Sequence, residues 1–64
     1  TGPIARGDVG TVRAHLAALR QSRPEFVPLY VEAARCTLRL AQRAGLGADA
    51  ALAIDAALDD PESS

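Results

Sequence analysis

Asp8, Thr11 and His15 fall at i, i+3 and i+7, a spacing that stacks three polar side chains along one helical face. A histidine near a carboxylate can take up or release a proton close to neutral pH, and a threonine hydroxyl can position a carbonyl or carboxylate. Arg6 adds a planar guanidinium able to fork onto a carboxylate or a phosphate. Each residue also has a structural use. Asp8 suits the N-cap of a following helix, Thr11 its N3 position, His15 a half-exposed place beside Leu19, and Arg6 an ion pair with an acid of the third helix. One short helix does not define acid–base geometry, so Arg6, Asp8, Thr11 and His15 are substrate-cleft candidates and no catalytic residue is assigned.

The backbone beneath these side chains is unusual for so short a chain. Thr1-Gly-Pro-Ile-Ala-Arg-Gly-Asp8 is a glycine-punctuated loop in which Gly2, Pro3 and Gly7 set the path. Pro3 fixes the backbone, while Gly7 and Gly10 permit close approach by another group. A rigid polar loop directly before an amphipathic helix has the form of a site wall. Elsewhere, Arg35, Arg39 and Arg43 at i, i+4 and i+8 read as a solvated face. Cys36, among apolar neighbours, reads as a small core residue rather than a nucleophile. No phosphate loop, serine-hydrolase elbow, zinc-ligand spacing or catalytic carboxylate pair is present, so neither a metal site nor a cofactor-binding residue is expected in this chain.

The elements that must hold these residues are all helical. Alanine and leucine dominate, the aromatic residues are Phe26 and Tyr30, and β-branched residues are scattered, which predicts an all-α fold of three helices at about 9–21, 24–44 and 48–58. Asp8 starts the first, whose Val9, Val12, Leu16 and Leu19 recur at helical spacing. Ser22-Arg-Pro-Glu25 reads as a capping box opening the second, which ends at Gly45, a residue suited to a left-handed C′ position. Pro28 predicts either a kink or a start delayed to that point. Gly47 or Ala48 opens the third helix, which fades at Leu58 before acids on the wrong side of the helix dipole and a frayed Pro61-Glu-Ser-Ser64 tail.

The second helix carries its polar residues Glu25, Glu32, Arg35, Arg39, Gln42 and Arg43 in one narrow stripe. One apolar flank holds Phe26, Leu29, Cys36 and Leu40, and the other holds Tyr30, Ala33, Ala34, Thr37, Leu38, Ala41 and Ala44. Two short neighbours cannot cover so much apolar surface, which predicts a central place or a subunit interface for this helix. A chain of 64 residues buries only about 60% of its unfolded surface. Its single cysteine and lack of zinc spacing leave no internal staple, so a second copy or a further domain must supply burial. The chain has no methionine and opens on Thr1, which predicts a fragment.

Every basic residue is arginine. Residues 1–44 carry a net +4 and residues 45–64 a net −5, an asymmetry suited to internal pairing or head-to-tail docking. With an overall charge of −1 and no aromatic stacking platform, nucleic-acid binding is disfavoured. No run approaches a membrane span and no signal peptide opens the chain, which predicts a cytoplasmic protein with no membrane contact.

Thr1-Gly-Pro-Ile-Ala-Arg-Gly-Asp8, with Thr11-Val12 and His15-Leu16, resembles the C-terminal region of Rossmann-like proteins carrying domain of unknown function 2520. The resemblance continues through a helix shaped like Tyr30 to Ala44, a Gly45-Leu46 turn and a short final helix, although the opening sixteen residues are the distinctive part. It implies a two-domain parent whose N-terminal dinucleotide-binding domain is absent here, leaving residues 1–64 as a C-terminal helical domain fragment. That domain would be similar to the helical domains of 6-phosphogluconate dehydrogenase, ketopantoate reductase and pyrroline-5-carboxylate reductase. The parent would be a bacterial NAD(P)-dependent oxidoreductase-like protein, with this part of a larger helical dimerisation domain serving dimerisation and cleft formation and inactive alone. Gly2, Pro3, Arg6, Gly7, Asp8, Thr11 and His15 are the positions matching the family pattern. The chain lacks a Gly-x-Gly-x-x-Gly turn, so NAD(P) is expected in the parent and not in this chain.

Three readings remain. In the first, the second helix (24–44) pairs with a second copy or with the chain's own N-terminal domain, and the parent takes a small-molecule substrate. The alternatives are a free-standing helical interaction module, and part of a reductase of a small keto or imino acid in which Arg6 grips the carboxylate and His15 or Thr11 lies near the reacting carbon.

Overall fold

The computed structural model describes residues 2–59, which form three α-helices, α1 (Val9–Ser22), α2 (Val27–Arg43) and α3 (Ala48–Asp59), with a short 3-10 turn at Pro24–Phe26. No strand occurs among the described residues, and the fold is all-α. The tail expected at Pro61–Ser64 lies outside them. No helix among them is long and apolar enough to cross a membrane.

Local chemistry sets each helix end. Asp8 caps α1, its Oδ1 accepting from the Thr11 amide at 3.2 Å. Pro28 occupies the first turn of α2, where the missing N–H has no partner to lose, so the helix begins at Val27 and the preceding turn is 3-10. At the other end of α2, Leu46 N donates to Ala41 O at 2.9 Å and Gly45 N to Gln42 O at 3.1 Å, a Schellman closure that needs the positive φ of Gly45. The capping box read at Ser22 does not form. The first helix runs one residue further than expected, and Ser22 Oγ bonds back to Ala18 O at 2.8 Å, leaving Arg23 at the N-cap of the turn without a side-chain bond.

Val12, Leu16 and Ile54 are fully buried and form the centre of the core, joined by Ile4, Ala34, Leu38, Ala41, Ala51 and Leu58. The central element is α3, which packs on both α1 and α2, whereas α1 and α2 touch each other only slightly. Of the two places expected for the second helix, central or in a subunit interface, the central one belongs to α3 among the described residues. Alanines at 51 and 57 present small side chains that let α3 wedge between its neighbours, so one flank of α2 stays uncovered. Phe26, Leu29 and Leu40 are accordingly exposed, and so is Cys36, which is a surface residue and not a core one.

Gly7 shows where close approach is required. Its φ is +70°, and a Cβ there would stand 3.0 Å from Ala50 Cβ and 3.3 Å from Leu46 Cδ1, so the neighbour it admits is α3 of the same chain. A Cβ at Gly10 meets only Asp8 Oδ1 at 3.7 Å, an ordinary contact, so close approach is not needed there.

Candidate functional site

The opening turn is built from backbone bonds: Arg6 N to Gly2 O, Gly7 N to Ile4 O and Asp8 N to Pro3 O, at 2.8 to 3.2 Å. Ile4 is drawn into the core by this winding, while Pro3 is left half-buried and Gly2 exposed at the surface. The turn therefore delivers Asp8 to the start of α1 and sets Gly2 and Pro3 beside α2.

The four polar candidates separate into two groups. Arg6, Asp8 and Thr11 form one: Thr11 Oγ1 donates to Asp8 Oδ2 at 2.7 Å, and Arg6 Nη2 lies 3.7 Å from the same oxygen. These bonds, first from the Thr11 hydroxyl and then from its amide, hold the Asp8 carboxyl below its ordinary value of 3.8, with Arg6 adding attraction against some desolvation. Arg6 thus meets Asp8, its near neighbour in sequence. His15, one turn beyond Thr11, turns instead to α2. Its ring meets Tyr30 edge-on with centroids 6.2 Å apart, and Nδ1 stands 3.5 Å from Tyr30 Oη, the outer limit of a hydrogen bond.

Beneath the His15–Tyr30 pair runs a groove of about 260 Å³, walled by Gly2, Pro3 and Ile4 on one side and by Tyr30, Ala33, Ala34 and Thr37 of α2 on the other. Its surface is apolar apart from His15, Tyr30 and Thr37. The Thr37 hydroxyl donates to Ala33 O at 3.0 Å and keeps its lone pairs free to accept. Burial raises the Tyr30 phenol above its usual 10, so at neutral pH it is a neutral hydroxyl able to donate. The arrangement can hold a small apolar body whose acceptor oxygen meets Tyr30 or His15. Periodicity places Tyr30, Ala33 and Thr37 on one flank of the second helix, but nothing in the sequence joins that flank to His15, fifteen residues before Tyr30.

The acids of α3 find Arg35. Its two guanidinium nitrogens bond Asp55 and Asp59, so Arg35 leaves the solvated row expected of it, while Arg39 and Arg43 remain exposed. Among the described residues, no group of three or more His, Cys, Asp and Glu is placed to hold a metal ion.

The model of a family described as a domain of unknown function (DUF2520) matches residues 1–37, which contain the opening turn, α1, Tyr30 and the Ala33–Thr37 wall. The chain belongs to the DUF2520 family. No curated protein and no solved structure matches the chain. The DUF2520 match covers every residue of the groove, so the groove is a feature of the part of the chain that carries the family signature.

Proposed function

We propose that this DUF2520 chain is the helical part of an NAD(P)-dependent oxidoreductase-like protein, where it forms one wall of a substrate cleft and a pairing surface and is inactive alone. The observation that carries the reading is the groove between the Gly2-Pro3-Ile4 turn and α2, apolar within and edged by His15 and Tyr30. Its size suits a small carbonyl compound, with Tyr30 donating to the oxygen and His15 steadying Tyr30. Asp8, Thr11 and Arg6 support this wall by fixing the start of α1; their mutual bonds make them positioning residues.

The dinucleotide belongs to another part of the protein on this reading. A pyrophosphate would seek a free helix N-terminus behind a glycine-rich turn, and α1 is instead closed by the Asp8 carboxylate, which repels it. The reading is tested by the reading frame upstream of Thr1. A strand followed by Gly-x-Gly-x-x-Gly is the expected result, and a start codon placed directly before Thr1 would overturn it.

The exposed Phe26, Leu29 and Leu40 favour a second reading, a helical interaction module, which needs only the outer face of α2.

A further inference from the structure

The outer face of α2 has an internal order that α1 and α3 do not explain. Leu29, Ala33, Cys36 and Leu40 recur at alternating spacings of four and three, and Phe26 extends the row into the preceding turn, so an apolar seam with heptad spacing, closed at its far end by Arg43, runs along the side turned away from the buried Ala34, Leu38 and Ala41. Leu29 is 69% and Leu40 63% exposed, against 5% for Leu38 on the opposite face. The seam is flanked unequally. Glu32 and Arg39, seven residues apart, line one side, and Tyr30, Thr37 and Ala44, all uncharged, line the other.

Unequal flanks select a partner and a direction. In a parallel pair of α2 helices, each charged flank would lie against the uncharged flank of its neighbour, with Glu32 beside Thr37 and Arg39 beside Ala44. In an antiparallel pair related by a two-fold axis, charged flank meets charged flank in reversed order. The register that sets Leu29 against Leu40 of the second copy, and Ala33 against Cys36, also sets Glu32 against Arg39. Two copies of that ion pair arise from one contact. Glu32 makes no ion pair within the chain among the described residues, and Arg39 lies along the seam with Nη2 3.1 Å from Cys36 Sγ.

We propose that the outer face of α2 docks a second copy of this chain, antiparallel, with Leu29 on Leu40, Ala33 on Cys36, and reciprocal Glu32–Arg39 pairs across a two-fold axis. This rests on the pairing half of the function proposed above and gives it a direction and a register. Ala33 lines both the seam and the groove, so the second copy stands at the groove's rim.

Sedimentation equilibrium of the chain and of its Glu32→Arg, Arg39→Glu and doubly reversed variants tests the proposal, with thermal melts by circular dichroism confirming that each variant keeps its helices. The expected result is a wild-type dimer whose dissociation constant rises about tenfold in each single variant, where like charges meet twice, and returns to within about threefold in the double reversal. A wild-type monomer overturns the proposal together with the pairing it rests on. A dimer indifferent to the single reversals, or weakened further by the double, overturns the antiparallel register and leaves self-association standing.

Discussion

At Asp8 one carboxylate completes three contacts: it caps α1, takes the Thr11 hydroxyl, and holds Arg6. All three favour the charged form, so its folded pKa lies below 3.8. The stability it contributes is fully present above 3.8 and is lost as pH falls through the lower folded value. Asp8→Asn should therefore melt at a lower temperature than the wild type at neutral pH, and the gap should close on the acid side of 3.8. Melts recorded across that range check it, and a gap that widens in acid would contradict the assignment. Capping was legible because Asp8 precedes an apolar helical repeat. The partner of His15 was not, since a contact fifteen residues away depends on how two helices cross. For Cys36 the apolar neighbours in sequence were real, but periodicity reports which residues share a flank and is silent on whether anything covers it.

Between elements, charge asymmetry found a partly internal use. Asp55 and Asp59 sit toward the C-terminal end of α3, where the helix dipole disfavours acids, and Arg35 of α2 answers both. Against desolvation, which lowers it, the two carboxylates raise the pKa of the Arg35 guanidinium further above its ordinary value. Arg35→Gln should loosen the α2–α3 contact, lowering the melting temperature at low ionic strength, with the difference from wild type shrinking in molar salt as α3's acids are screened. Equal differences at both salt levels would assign Arg35 a packing role instead. Helix ends were readable in the sequence wherever one residue type has a single local job, as at Pro28 and Gly45. The exception, Ser22, lay where two helices compete for the same few residues, and α1 took it by extending one residue further.

For the whole molecule, the small α3 wedges between α1 and α2 and completes a core that leaves two surfaces on α2, the groove with His15 and the outer seam. The fold class and the three elements followed from composition and spacing, and the family from the opening sixteen residues. The position of α3 did not, because alanine-rich helices differ little until packing decides which of them is central. We propose above that the groove is one wall of a substrate cleft, so a dinucleotide bound by the proposed two-domain parent should be felt at its rim. Ring resonances of His15 and Tyr30, followed by NMR in the proposed two-domain parent during titration with NADPH, test this. Saturable shifts at both rings that track cofactor binding are expected; cofactor binding that leaves both rings unmoved would overturn the cleft reading.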